Sequence, residues 1–354
     1  MQPICGDLYR TYCRTCFDPR GYVTNPEGKS DFYFVKIDCL EEFADKILPD
    51  ITRPFVLISG DGDQPLGPWR VGLQKILKSP KLVRWLGLNV CIIHPKVFSI
   101  PIGVAYSYHR QQMQTQIPEV AAMNVPKERP VYASYLIPHA NERKKCFDAT
   151  GGLMFPYIKY NESGHKDYLL ELAKSSFNIS PNGGGFDCFR HWESIYLKTI
   201  PIVTDDNLNV QFYKDMPFLF IRDWNQYKSL VLTEDLRKRI WSDFDLSRLD
   251  FDRVMEDALT KPHPILYKKK LKDIEHVPHV WRRPLPEDTW INKVIENPPL
   301  PEKEAEKEEI TVQKIAETAA KFEKDSTPEP KTLPHVPKEL RTVLPKHYWS
   351  SGPL

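Results

Sequence analysis

Phe177-Asn-Ile-Ser-Pro-Asn-Gly-Gly-Gly-Phe-Asp-Cys-Phe-Arg-His-Trp-Glu-Ser-Ile-Tyr-Leu-Lys-Thr-Ile-Pro-Ile-Val203 is the stretch on which the fold turns. A short apolar strand, Phe177 to Ile179, enters a turn with three consecutive glycines, Gly183 to Gly185. A helix is expected from Asp187 to Leu197, with Asp187 as its cap, and a second apolar strand at Ile200–Val203. Strand, glycine loop, helix and strand form the repeating unit of a parallel α/β sheet. Glycine lets the backbone approach a ligand closely, and free N–H groups at a helix N-terminus favour an anion. Along the helix Phe189, Trp192 and Tyr196 share one face, while Arg190, Glu193 and Leu197 share another. On that second face Arg190 suits a diphosphate and Glu193 suits ribose hydroxyls. The plainer alternative is an exposed ion pair beside an ordinary turn.

Outward from this stretch the same alternation continues. Strands are expected at 31–36, 55–59, 90–93, 131–135, 177–179 and 200–203, and helices at 40–48, 71–77, 141–150, 168–175 and 187–197. Two such series predict two α/β domains facing a cleft, over 1–120 and 121–260. Ligands of open α/β sheets lie beyond the carboxyl ends of the strands. A third region, 261–354, differs in kind. It holds 14 of the 32 prolines, the charged run Glu302–Glu309 and an expected helix at 310–324. It is read as a Pro-rich, charged extension, partly disordered or lying along the body through Trp281, Trp290, Tyr348 and Trp349.

Composition narrows the function. In 354 residues, 49 basic and 47 acidic side chains leave a formal charge of +2, which argues against a nucleic-acid partner. The chain has neither an apolar leader nor a run long enough to span a bilayer, so it is read as soluble and cytoplasmic. Seven scattered cysteines suit a reducing compartment. Cys13-Arg-Thr-Cys16 is the most zinc-like feature, with Cys5 and Cys39 as further ligands, but a structural zinc needs two such pairs and free thiols are the better reading.

Ser180-Pro-Asn-Gly183, Arg190-His-Trp-Glu193 and Thr199-Ile-Pro-Ile-Val203 together resemble the signature of exostosin-family glycosyltransferases. The short form without an anchor is similar to exostosin-like enzymes of large algal viruses and bacteria. The resemblance covers about thirty residues strongly, and 131–223 loosely. It implies a GT-B fold of two Rossmann-like domains, the second holding a nucleotide-sugar donor. On that resemblance Glu193 would bind ribose, and Arg190, Arg143 and the glycine-loop amides the diphosphate. The donor site would comprise Ser134, Arg143, Ser180, Asn182, Gly183, Gly184, Gly185, Phe186, Arg190 and Glu193. Lys198 stands where the family often has glycine. The implied activity is inverting transfer of a sugar to a glycan or glycoprotein acceptor, with no metal or other cofactor required.

Inversion needs a general base beside the attacking hydroxyl. Phe55-Val-Leu-Ile-Ser-Gly-Asp-Gly-Asp63 ends an apolar strand in two carboxylates. Asp61 is the first candidate and Asp63 the second, with His94 and His109 behind them. Asp61-Gly-Asp63 also resembles the Asp-x-Asp motif of GT-A enzymes, whose carboxylates hold Mn²⁺ or Mg²⁺ against the donor phosphates. That alternative leaves the glycine loop without a role. A non-catalytic nucleotide- or glycan-binding protein is the other alternative. Trp69, Trp85 and Trp224 are read as packing residues, and His191 as a surface residue.

Overall fold

The computed structural model describes residues 3–19, 21–67, 70–90, 92, 94, 96–105, 111–135, 141–153, 162–204 and 216–261. Trp69, Cys91, His109 and the extension from 262 onward, with its expected helix and aromatic anchors, lie outside the described residues.

Two α/β units are present. The first sheet is built from β1 (Cys13–Asp18), β2 (Gly21–Thr24), β3 (Lys29–Lys36), β4 (Phe55–Gly60), β5 (Leu82–Gly87) and β6 (Val97–Ser99), in the order β2-β1-β3-β4-β5-β6. Only the β1–β2 hairpin is antiparallel. The second sheet is wholly parallel, from β7 (Arg129–Ala133), β8 (Ser175–Ile179), β9 (Ile200–Thr204) and β10 (Leu219–Ile221), in the order β10-β9-β8-β7. From β3 to β6, and again from β7 to β10, the chain advances one strand at a time without reversing. The one reversal of direction among the described strands is at β1, which has β2 on one side and β3 on the other.

Side-chain alternation explains how the units join. In the first sheet Val35, Phe55, Leu57 and Trp85 face α2 (Leu40–Lys46) and α3 (Val71–Leu77). Their neighbours Phe34, Val56, Ile58 and Leu86 face the other way, into a core shared with Tyr132, Leu169, Trp192, Ile195 and Phe220 of the second unit. α1 (Gly6–Tyr12) joins that core through Tyr9, whose ring meets Phe251 at 5.4 Å. The opposite face of the second sheet has its own cluster around Phe177, Ile179, Ile200, Ile202 and Trp224. The two units are thus fused by common apolar packing, where two self-contained cores were expected.

The expected boundary at 120 falls inside α4 (Gln111–Ala122). That helix belongs to the second unit: Gln116 bonds His165 at 2.9 Å, and Glu119 pairs with Lys166 on α6 (Glu162–Ala173). The chain then returns. α8 (Glu234–Trp241) is followed by α9 (Phe251–Thr260), which packs on Tyr9 and Tyr12, and the Lys261 carbonyl accepts from Arg84 of β5 at 2.8 Å.

Several expected elements change. Cys13-Arg-Thr-Cys16 is part of β1, with both thiols buried and Cys16 Sγ–H donating to the Arg10 carbonyl at 3.4 Å; burial pushes Cys13 well above an ordinary thiol. Cys5 and Cys39 are likewise buried. Of the strand expected at 90–93, residues 91 and 93 lie outside the described residues, and Val90 forms a bridge with Leu66. Trp85 and Trp224 are packing residues, their indoles donating to Ser59 Oγ at 2.9 Å and Glu142 Oε1 at 3.1 Å.

Candidate functional site at the glycine loop

β8 is buried along its whole length and delivers Ser180 to the loop, where the Ser180 N–H donates to the Ile202 carbonyl at 3.0 Å. The loop closes on itself through Gly183 N–H to the Gly185 carbonyl at 3.1 Å. None of the three glycines has a left-handed φ; what requires them is proximity. A Cβ on Gly183 would lie 3.0 Å from the Arg143 guanidinium, and one on Gly185 2.7 Å from Asn89 Nδ2. One on Gly184 would collide with the carboxylate of Asp63. The loop is the meeting point of both sheets.

The loop runs into α7 (Phe189–Tyr196), which is shorter than expected. Cys188, in extended conformation, occupies the N-cap position and makes no side-chain cap. Asp187 works differently from the expected cap. Its N–H donates to Asn89 Oδ1 at 2.9 Å, its Oδ2 accepts from Ile102 N–H at 2.6 Å, and its Oδ1 accepts from the Trp192 indole at 2.7 Å. One carboxylate therefore ties the loop to the first unit and to α7. His191 is fully buried, contrary to the surface placement expected, and its Nε2–H donates to the Ser180 carbonyl at 3.1 Å. At the far end Lys198 takes φ 55°, the conformation that favours glycine. Lys198 N–H to Ile195 O and Thr199 N–H to Ser194 O form a Schellman closure.

Two guanidinium groups flank the loop. Arg143, in the first turn of α5 (Asn141–Ala149), donates through Nε to the Asn182 carbonyl at 3.1 Å, and Arg190 of α7 donates to the Pro181 carbonyl. Arg143 is held below the ordinary arginine value, first by burial and then by Arg190 beside it; Asp63 pulls it back up. Around these groups Ser180 Oγ, Asn182 Oδ1 and Arg190 Nε are buried without a hydrogen-bond partner. Asn178 Oδ1 in β8 and Arg84 Nε in β5 are buried in the same state, so what distinguishes the loop is three such atoms beside two guanidinium groups. Phe186 is half-buried in the same loop, and Ser134 is half-buried just beyond β7.

Glu193 is not on the cleft face. It is 1% exposed, and both oxygens are engaged within the protein: Oε2 accepts from the Tyr168 hydroxyl at 2.9 Å and Oε1 from Ala105 N–H at 3.3 Å, with His165 Nε2 3.6 Å away. The helical spacing was read correctly, but Arg190 points to the loop while Glu193, one turn deeper, points into the joint between the units. The two do not address one ligand.

The carboxylates after β4 separate in the same way. Asp61, in a left-handed conformation at φ 56°, pairs with Arg10 at 2.5 Å, and Arg10 also holds the buried Asp18 at 2.8 Å. Burial alone would lower the Arg10 pKa, but Asp61 and Asp18 raise it above the ordinary value. Asp61 is therefore a clamp, not the poised base expected. Asp63 is exposed and lies against Gly184. His94 stands elsewhere, neutralised by burial and Lys96, its pKa lowered to about 4.

No family model matches the chain, and no curated protein matches it.

The exostosin resemblance accordingly rests on the quoted residues. Among the described residues no group of three His, Cys, Asp or Glu side chains could hold a metal ion, and no helix is long and apolar enough to cross a membrane. A cavity of about 610 Å³ opens elsewhere, beyond the amino ends of the second sheet's strands. Lys127, one of its lining residues, caps helix ends there by donating to Ala173 O, Leu197 O and Thr199 Oγ1. Arg10, Asn89, Tyr168 and His165 escaped the sequence reading. Each acts through a partner distant in the chain, and the Asn that follows β5 at Gly87-Leu88-Asn89 was the one local hint, since Asn tolerates the φ of 49° it adopts.

Proposed function

We propose that the glycine loop binds the diphosphate of a nucleotide-sugar and that the protein is a GT-B-type glycosyltransferase acting on a glycan or glycoprotein acceptor. The observation that carries this reading is the cluster of three unpartnered buried polar atoms, Ser180 Oγ, Asn182 Oδ1 and Arg190 Nε, beside two guanidinium groups. Neutral donors and acceptors could be satisfied by water, but two neighbouring arginines favour an anion. In the transfer, Arg143 and Arg190 would stabilise charge developing on the departing diphosphate, an effect of about 10²–10³ in rate per preorganised contact. The attachment of the loop to both sheets through Asp187 keeps those groups in place without reorganisation.

The test is a thermal shift with UDP, GDP, CDP and dTDP in EDTA. One of them at ~100 times its dissociation constant adds ~2.7 kcal/mol to stability, and Arg190→Gln, weakening binding ten- to a hundredfold, should cut that gain to about 0.4–1.4 kcal/mol. If none of the four moves the midpoint of the unaltered protein, the diphosphate reading fails. A GT-A role for Asp61 and Asp63 has less support, because one faces Arg10 and the other Gly184. A non-catalytic nucleotide-binding role is favoured by the engagement of Asp61, and nucleotide binding without turnover in any sugar-donor screen would establish it.

A further inference from the structure

The charge arrangement at the loop is asymmetric. Two guanidinium groups come from the second unit, and one exposed carboxylate of the first, Asp63, lies against Gly184 and acts on one of them, Arg143. Its position is held from behind. Asp61 is fixed by Arg10, Leu66 N–H donates to the Asn89 carbonyl at 2.9 Å, and Asn89 Oδ1 accepts from Asp187 N–H. The turn from 61 to 66 is thus pinned at both ends, and Asp63 faces Arg143, whose charged form it favours. A ligand on the loop would meet a carboxylate that the fold keeps there.

We propose that Asp63 is a specificity-determining residue that discriminates between diphosphate ligands by charge, disfavouring the nucleoside diphosphate relative to the nucleotide-sugar. This rests on the diphosphate reading of the loop. A nucleotide-sugar is a diphosphate diester and carries two negative charges near neutral pH. In transfer the acceptor oxygen bonds to the anomeric carbon, and the bond from that carbon to the terminal phosphate oxygen breaks with its electron pair left on the phosphate. The hydroxyl proton passes to solvent, and the released nucleoside diphosphate carries a third negative charge on the terminal phosphate. Asp63 repels that extra charge, so the product is held less tightly than the donor. One added unit of repulsion across a partly hydrated gap of several ångströms is about a tenfold effect.

The experiment is isothermal titration of the unaltered protein, Asp63→Asn and Asp63→Ser with UDP and UDP-glucose, and with GDP and GDP-mannose, in EDTA at low ionic strength. Thermal unfolding of each variant checks the fold. Both variants should tighten the nucleoside diphosphate about tenfold more than the nucleotide-sugar, with the difference shrinking as salt is added. Equal changes for both ligands, no change, or an effect confined to one variant would overturn the charge role while leaving the diphosphate site standing. Failure of the unaltered protein to bind any of the four ligands would instead overturn the reading on which it rests.

Discussion

Two turns leave the carboxyl ends of two buried strands, and they treat charge in opposite ways. After β4, Asp61 is matched by Arg10, which is matched in turn by Asp18 and lies 4.8 Å over the Phe34 ring. After β8, Arg190 and Asn182 keep buried polar atoms unmatched. A turn that satisfies its own charges contributes to the fold. A turn that leaves them open is the stronger candidate for a site, and that difference, more than the presence of glycine, sets the two turns apart.

The contrast can be broken most forcefully at Arg10. Arg10→Ala strands the buried Asp18 and should cost about 3–5 kcal/mol, read as a fall in the urea midpoint; a loss under 1 kcal/mol would mean that the first turn is not closed. Glu193→Ala comes next, at about 2–3 kcal/mol, because it leaves the Tyr168 hydroxyl and Ala105 N–H without their acceptor. If it weakened nucleotide binding and spared stability, Glu193 would belong with the open turn after all. Arg190→Gln should do the reverse, lowering diphosphate affinity ten- to a hundredfold in titration with little change in unfolding. Smallest is Lys198→Gly, which relieves a left-handed lysine and should raise stability by about 0.5–1 kcal/mol in chemical denaturation; destabilisation would show that the Lys198 side chain contributes more than its strained backbone costs.

What the sequence made legible follows from range. Phe177–Ile179, Ile200–Val203 and the helix at 71–77 announce themselves by local periodicity and are where that periodicity places them, while the helix expected at 40–48 ends at Lys46. β1 was obscured by two cysteines that suggest metal chemistry, and β5 by Arg84, a charge in a buried strand that packs over Phe98 and binds the Lys261 carbonyl. Helical spacing correctly separated Arg190 from Trp192, yet it could not tell which neighbour each face would meet. Asp61 finds Arg10 across 51 residues, Asp187 finds Ile102 across 85, and Glu193 finds Ala105 across 88. Such pairings are consequences of the finished fold, and no local pattern encodes them.

The apolar packing shared between the sheets also limits how the molecule can be taken apart. Phe34 and Leu86 lie in one continuous cluster with Trp192 and Phe220, and Ile4 N–H donates to the Tyr196 hydroxyl at 2.9 Å. Expressed alone, either half would present that cluster to water, so neither is a portable module that could be grafted onto another protein or inherited separately. Swapping whole halves would require rebuilding the seam as well, and variation is expected to be easier in the turns around Asp63 and Gly184 than in the boundary beneath them.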